Sequence, residues 1–210
     1  MVAAVENGRA ADDSSQGHSL ISDPTARAIQ LRFVTLAAHH LDRIRDVLRH
    51  SADDGQRALA AQVIAYAPDK RKIVPDLVEA ATDPSPEVRN SATRALMILA
   101  MYAQQSPQSG ISIPWQPFVA MLSSLDWTDR NKAGALLMQL SASRDPSLLN
   151  ALRRHALPEL IEMARWKLLT YATPSLTILG RMAGIRDEAI QAAIDRGDRD
   201  AILRRFNVSE

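Results

Sequence analysis

The sequence predicts an all-α fold of about four stacked helical hairpins, which would form a solenoid. After residue 23, apolar residues recur three and four positions apart almost throughout the chain, which is the spacing of an amphipathic helix. Aromatic residues make up only 4% of the 210 residues, while Ala and Leu are frequent, and this composition favours helices that pack through small and aliphatic side chains. The third observation is an internal repeat that begins with an arginine.

The chain is expected to consist of a tail and one folded domain. Residues 1–23 are rich in Ala, Asp, Ser, Gly and Asn without apolar periodicity, so they are predicted to form a flexible tail or linker. The domain is expected to span 24–210, because Ser22 or Asp23 can cap a helix that has Pro24 in its first turn. No segment alternates as a strand would. A loop insertion is predicted near 104–114, where the sequence reads QQSPQSGISIP.

Helices are predicted wherever the apolar period of 3.6 residues continues between Gly, Pro, Ser and Asp residues that interrupt it. The predicted helices lie near 25–50, 54–67, 70–82, 86–103, 115–125, 129–143, 146–170, 173–184, 187–195 and 198–205.

Three segments that begin with an arginine share one pattern. Arg57 begins RALAAQVIAYA, Arg89 begins RNSATRALMILA and Arg130 begins RNKAGALLMQLS. In each segment an alanine follows three positions after the arginine, and small or aliphatic residues follow after seven and ten positions. These offsets lie along one stripe of a helix, and the alanine lets a neighbouring helix approach closely. Another amphipathic segment precedes each of the three, so the repeating unit is a helical hairpin.

The stretch from Asp83 to Leu96, DPSPEVRNSATRAL, resembles the HEAT repeat, particularly its short, PBS-lyase-type HEAT-like form. In that family a hairpin turns through an Asp-Pro segment into a helix that begins Val-Arg, as Val88 and Arg89 do here. The resemblance weakens in the order 69–103, 38–68 and 115–143. It implies a right-handed α-α superhelix whose concave surface suits a protein partner.

The expected function is therefore that of a non-catalytic module for protein–protein binding or scaffolding. A net charge of +1 lacks the basic balance that is typical of nucleic-acid binding. Two alternatives remain open. A nucleic-acid-binding helical-repeat protein or base-excising enzyme would require Arg71, Arg153, Arg154 and an acidic residue to converge on one concave groove. A bilin lyase-like protein is the other, since short HEAT-like repeats occur in phycobilisome-linked lyases, but without cysteine it would have to bind a bilin non-covalently.

No catalytic, metal-binding or cofactor-binding residue is expected. The chain has no cysteine, which excludes a thiol nucleophile and Cys-ligated metals, and no phosphate-binding or dinucleotide-binding motif is present. His39 and His40 are adjacent and diverge on a helix, so they cannot easily bind one metal together. Arg57, Arg89 and Arg130 could form an anion-binding ladder, but their matching position at helix starts favours bridges between neighbouring turns.

The three tryptophans are the most informative side chains, because aromatic residues are scarce here and Trp is enriched at binding hot spots. Trp115 is expected to anchor the inserted loop, and Trp166 is expected in the core. Trp127 follows a turn and is the best candidate for contact with a protein partner, with packing between repeats as the alternative.

A cytoplasmic location is expected by default. No apolar run approaches the roughly 20 residues of a membrane span, and the first residues, MVAAVENGRAADDSSQGHSL, lack the continuous apolar region of a signal peptide. A mature fragment of an exported protein, or a piece of a longer polypeptide, would look the same.

Overall fold

A computed structural model describes residues 12–206 of the chain. Over this range two antiparallel strands of two residues each, β1 (Asp12–Asp13) and β2 (Leu20–Ile21), precede eleven helices. The helices are α1 (Pro24–His50), α2 (Asp54–Ile64), α3 (Lys70–Ala80), α4 (Pro86–Gln105), α5 (Gln116–Met121), α6 (Trp127–Leu140), α7 (Pro146–His155), α8 (Leu157–Ala164), α9 (Leu169–Met182), α10 (Asp187–Asp195) and α11 (Asp200–Leu203). The prediction of an all-α fold is confirmed.

The chain divides into two compact units, the first ending at Pro114 and the second beginning at Trp115. A single domain was expected over 24–210. The boundary lies at the end of the predicted loop insertion, in which α4 continues to Gln105 and a short 3-10 turn follows at Pro107–Ser109. Each unit contains its own helical hairpins, α1 to α4 in the first and α5 to α11 in the second.

The repeated apolar stripe forms the core of both units. In the first unit α2 packs against α1 and α4, and in the second α6 packs against α5 and α9. The alanines three positions after the repeat arginines are buried, and so are the aliphatic residues seven positions after them: Ala60, Ala92, Ala133, Ile64, Leu96 and Leu137. Small and aliphatic side chains at these contacts allow close helix packing, as the pattern predicted.

The repeat arginines bind turns and neighbouring helices. Arg57 donates from Nε and Nη2 to the two carboxylate oxygens of Asp83, at 2.8 and 2.9 Å, and this guanidinium lowers the pKa of the Asp83 carboxyl. Arg130 also makes a bidentate contact: its Nη1 and Nη2 donate to the two carboxylate oxygens of Glu162 on α8, at 3.0 and 2.9 Å. Arg89 instead donates to two backbone carbonyls of the turn just before its own helix, both at 2.9 Å. Two of the three arginines thus join consecutive hairpins.

Residues 146–170 were predicted as one helix, and the structure corrects this prediction. The helical segment ends at His155, because Ala156 has φ −147° and ψ 14°, and α8 then begins with Pro158 in its first turn. A proline fits there, since the first N–H groups of a helix have no intrahelical partner, but inside a continuous helix it would remove a hydrogen bond and clash.

A flexible tail was predicted over 1–23, and the last residues of this segment are buried in the part of the chain that the structure describes. Leu20 and Ile21 are only 3% and 2% exposed and pack with α1 in the first unit. The pair is too short to produce a periodic pattern, so no pattern in the sequence indicated its burial. Residues 1–11 lie outside the described range.

His18 and Lys70 form a buried pair beside this segment. Lys70 Nζ donates to His18 Nδ1 at 3.0 Å and to the Ala65 carbonyl at 2.7 Å. Burial, reinforced by the nearby Lys70 charge and opposed by Asp13, lowers the pKa of His18 to about 4. Burial also lowers the pKa of Lys70 to about 8. The imidazole is therefore neutral near pH 7 and accepts the hydrogen bond from the lysine.

We expect the free energy of unfolding to fall as the pH is lowered from 6.5 towards about 4. In this window His18 is protonated in the unfolded chain but not in the folded one, so unfolding takes up a proton and acid favours it. The expected loss is about 2 to 3 kcal/mol. Urea unfolding at several pH values, followed by circular dichroism, measures it. His18→Gln should flatten the dependence in this window, and an unchanged slope in that variant would assign the effect to other groups.

Candidate functional site

Apolar side chains of the second unit are concentrated on its surface around two turns. Leu125, Trp127, Leu168 and Tyr171 are 107%, 46%, 59% and 38% exposed. Trp166, which lies between Trp127 and Leu168 in the sequence, is half-buried. We call these five residues the aromatic surface. Such a concentration of exposed apolar side chains is unusual on a protein surface unless something binds there.

The three rings of the aromatic surface are in contact. The centroid of the Trp127 ring lies 5.8 Å from that of Trp166 and 4.9 Å from that of Tyr171. The Tyr171 ring is nearly perpendicular to Trp127, at 84°, an edge-to-face geometry that aromatic pairs favour. The Arg130 guanidinium carbon lies 5.5 Å from the centroid of Trp166, within range of a cation–π interaction. These contacts restrict the orientation of the Trp127 ring.

Trp127 is positioned by the cap of α6. The Asp126 carboxylate accepts from the Thr128 N–H at 2.8 Å, which satisfies one of the free donors at the helix start. Ser124 Oγ accepts from the Asp126 N–H at 3.1 Å and donates to Asp129 Oδ2 at 2.8 Å. The turn is therefore fixed by its own polar side chains, and Trp127, as the first residue of α6, points its ring from a rigid frame.

The turn that carries Trp166 is held by an arginine from far along the chain. Arg199 donates to the backbone carbonyls of Ala164 at 3.1 Å, Trp166 at 2.7 Å and Lys167 at 3.3 Å. These carbonyls lie at and just beyond the end of α8, where they have no intrahelical donor. Arg199 therefore fixes the second half of the aromatic surface. No local sequence signal indicates this role of Arg199, because nothing near it in the sequence links it to a turn 33 residues earlier.

The charges beside the aromatic surface are of two kinds. Arg130 and Glu162 neutralise each other, and the Arg130 guanidinium lowers the pKa of the Glu162 carboxyl. Arg165 and Lys167, on either side of Trp166, are exposed and make no ion pair within the described part of the chain. Two uncompensated cations thus border the rings.

The structure places the predicted tryptophans as follows. Trp127, the predicted partner-binding residue, is exposed at the centre of the ring cluster, and its role stays a prediction. Trp166 was expected in the core and is instead half-buried against Trp127, because it lies in the turn after α8. Trp115 lies at the N-terminus of α5, where its carbonyl accepts from the Phe118 N–H at 3.1 Å. Tyr171 was missed.

The other candidate chemistry lies elsewhere. Arg71 belongs to the first unit, while Arg153 and Arg154 belong to the second. Arg153 donates to the Met182 carbonyl at 2.7 Å and lies over the Phe206 ring, so part of the predicted basic set stabilises a helix end. Over residues 12–206 no group of His, Asp or Glu side chains could hold a metal ion, and no helix in that range combines the length and apolarity needed to cross a membrane.

Comparison with known proteins supports the repeat assignment. Residues 41–109 match the family model described as HEAT repeats. Among solved structures, computationally designed armadillo repeat proteins for modular peptide recognition have 14% identity and a TM-score of 0.52, with coverage of 87% of this chain and 86% of theirs. An engineered protein has 18% identity and a TM-score of 0.55, with coverage of 94% and 90%.

A designed armadillo repeat protein in complex with the peptide (KR)4 is similar to the same degree. It has 14% identity and a TM-score of 0.53, with coverage of 87% of this chain and 85% of the designed one. No curated protein matches the sequence. The recognition of HEAT repeats and of a helical-repeat solenoid fold is therefore confirmed: residues 41–109 match the HEAT-repeat family model, and the chain shares the fold of armadillo-type helical-repeat proteins.

Proposed function

We propose that the chain is a non-catalytic HEAT-repeat module that binds a protein partner through the aromatic surface. The observation that carries this proposal is the exposure of Trp127 within a cluster of three aromatic rings. Trp and Tyr are the side chains most enriched at binding hot spots, and large exposed apolar patches mark interaction sites on soluble domains.

The rigidity of the surface adds to its capacity for binding. Trp127 is held by Trp166 on one side and Tyr171 on the other, and Arg130 lies over Trp166. Binding immobilises flexible side chains at a cost in entropy, so rings that are already fixed lose less. The surface therefore behaves as a preformed anchor site.

The bordering charges indicate what kind of segment would bind. Arg165 and Lys167 are exposed beside Trp166, and complementary charge speeds association and fixes orientation. We therefore propose an acidic partner segment that carries at least one aliphatic or aromatic side chain to pack on Trp127. A designed armadillo repeat protein of similar fold is known in complex with a peptide, which supports a protein partner on grounds of fold alone.

Single-stranded nucleic acid is the rival ligand for exposed rings beside cations. Two observations favour protein. The net charge of the chain is only +1, and the cation nearest the rings, Arg130, is neutralised by Glu162. Leu125 and Leu168 moreover extend the surface with aliphatic groups, which suit apolar side chains better than phosphates.

Trp127→Ala is expected to weaken partner binding by about 30-fold or more, the effect of losing a hot-spot side chain. Peptides selected from a random displayed library on the unaltered chain serve as the partner, and their affinities for both chains are measured by fluorescence anisotropy. The selected peptides should be acidic and contain Leu, Phe or Trp.

Leu59→Ala is the matched control for this test, since Leu59 is an equally exposed apolar residue of the first unit, and it should leave the affinity unchanged. Peptides that bind Trp127→Ala as tightly as the unaltered chain would place the binding site elsewhere. Retention of single-stranded oligonucleotides that is lost with added salt and with Trp127→Ala would instead support the nucleic-acid alternative.

A further inference from the structure

We propose that the first unit contains a second binding site, for an extended partner peptide with two adjacent aliphatic residues, and that residues 18–21 occupy it as a tethered ligand. We call residues 18–21 the docked segment; their sequence is HSLI. The site is separate from the aromatic surface, which belongs to the second unit, and the inference does not depend on the proposed function.

Side chains of α1 and of the turn after α2 bind the main chain of the docked segment. The Tyr66 hydroxyl donates to the Ser19 carbonyl at 2.7 Å, and Gln30 Oε1 accepts from the Ile21 N–H at 2.8 Å, both in buried surroundings. Every peptide has the same carbonyl and N–H groups, so these two bonds would hold any extended segment in this register. The site thus recognises a backbone, as peptide-binding proteins do.

The side chains of the docked segment supply the specificity. Leu20 and Ile21 are almost fully buried, and burial of two aliphatic side chains favours binding wherever their shapes fit. His18 packs its ring 4.8 Å from the Tyr66 ring and accepts from Lys70. A ligand for this site therefore has two neighbouring aliphatic residues and, two positions before the first of them, a residue that can accept a hydrogen bond from a lysine.

An open groove continues from the docked segment. It has a volume of about 410 Å³ and begins at Ser19 and Tyr66. Its further walls come from α1, α2 and α4, with Phe33, Gln62 and Asn90 among them. Asn90 Oδ1 is buried and has no hydrogen-bond partner among the described residues, so it is available to accept from a ligand N–H. A partner peptide that is longer than the docked segment can therefore make contacts that the tethered segment does not make.

Because the docked segment is covalently joined to its site, it competes strongly with an added peptide. A segment joined to its own site acts at an effective concentration on the order of millimolar. An added peptide with the same contacts therefore binds the unaltered chain weakly, and it binds tightly once the docked segment has been displaced. This difference makes the inference testable in the full chain.

The test uses the full chain with Leu20→Asp, which places a charge at a buried position and releases the docked segment. The probe is a fluorescein-labelled peptide with the sequence of residues 13–22, DSSQGHSLIS. By fluorescence anisotropy, we expect the peptide to bind the variant at least about tenfold more tightly than the unaltered chain, because the tethered competitor is absent. The same peptide carrying the Leu→Asp change should not bind.

Two further substitutions in the Leu20→Asp chain locate the site. Tyr66→Phe removes the hydroxyl that binds the peptide backbone and should weaken peptide binding about threefold to tenfold. Trp127→Ala should leave it unchanged, which separates this site from the aromatic surface. A folded Leu20→Asp chain that fails to bind the peptide at about millimolar concentration would overturn the proposal, as would binding that Tyr66→Phe does not affect.

Misfolding of the Leu20→Asp variant and dimer formation by the unaltered chain would each be interpretable. If Leu20→Asp lacks the circular dichroism spectrum of the parent, Leu20→Ala combined with Ile21→Ala takes its place with the same expectations. If the unaltered chain forms a dimer that dissociates on addition of the peptide, the segment is exchanged between copies, and tethered occupancy is refuted.

Discussion

Replacement of Asp76 by alanine is expected to lower the free energy of unfolding by about 3 kcal/mol. Asp76 lies on α3 and its side chain is 1% exposed. One carboxylate oxygen accepts from Arg45 Nε at 2.8 Å and the other from Arg49 Nη2, both on α1. Removal of the carboxylate leaves a buried void and takes away the acceptor that both guanidinium groups share. The acids that remain near them, Asp42 and Glu79, are exposed and lie 3.7 and 3.6 Å away. Removing one partner of a buried ion pair is strongly destabilising. One charge cluster thus joins α1 to α3 in the first unit.

Two variants show whether the charge or the burial is responsible. Asp76→Asn keeps the shape and one acceptor but removes the charge, so a smaller loss is expected. Asp42→Ala removes another acid near Arg45, at 3.7 Å, whose side chain is fully exposed, and should have almost no effect, as is usual for surface pairs. Urea unfolding followed by circular dichroism measures all three. Equal losses for Asp76→Ala and Asp42→Ala would refute the assignment of a buried ion-pair cluster.

Gly180→Ala is expected to destabilise the second unit by about 1 to 3 kcal/mol, the usual effect of overpacking a core. Gly180 lies inside α9, where alanine would otherwise be the better helix former. A Cβ at this position would lie 2.5 Å from Ile190 Cγ1 and 2.6 Å from Ile190 Cδ1. Ile190 is buried on α10, so its side chain cannot turn away without displacing other core groups. The absence of a side chain at Gly180 is what lets α10 pack on α9.

Gly134→Ala is the matched control, because Gly134 is also buried within a helix, α6. There the added Cβ would lie 3.0 Å from Met163 Cε, the end of a flexible side chain that can move. We expect Gly134→Ala to be neutral or to stabilise by up to about 1 kcal/mol, as a helical Gly→Ala change does when there is room. Thermal unfolding compares the two. A Gly180→Ala protein as stable as the Gly134→Ala protein would show that α10 does not approach α9 so closely.

The sequence predicted those elements whose determinants are local. Asp23 caps α1 by accepting from the N–H groups of Thr25 and Ala26, and Asp83 accepts from the Ser85 N–H at 2.8 Å in the HEAT turn. Both signals lie within a few residues of the structure that they specify. The missed break at Pro158 was equally local. It could have been read from the sequence, since a proline restricts the residue before it and marks a helix start.

The packing of the N-terminal segment had no local signal. Ile21 is bound by Gln30 and Ser19 by Tyr66, and Tyr66 lies 47 residues away from Ser19 along the chain. Such contacts appear only once the helices are assembled, so composition alone predicted a flexible tail.

The same distinction applies to the aromatic surface. Trp127 stood out because of its residue type and its place after a turn. Tyr171 did not, because it meets Trp127 only through the packing of α9 on α6. Residue type therefore identified one member of the cluster, whereas the tertiary fold was needed to show that it has neighbours.

The position of the domain boundary also has a spectroscopic consequence. All three tryptophans lie after Pro114, so the indole emission of this protein originates entirely in the second unit. Circular dichroism, in contrast, records the helices of both units. Repeat arrays can lose cooperativity between their parts, so the two units can unfold separately. Tryptophan fluorescence then follows the unfolding of the second unit. The change in circular dichroism that fluorescence does not account for follows the unfolding of the first unit.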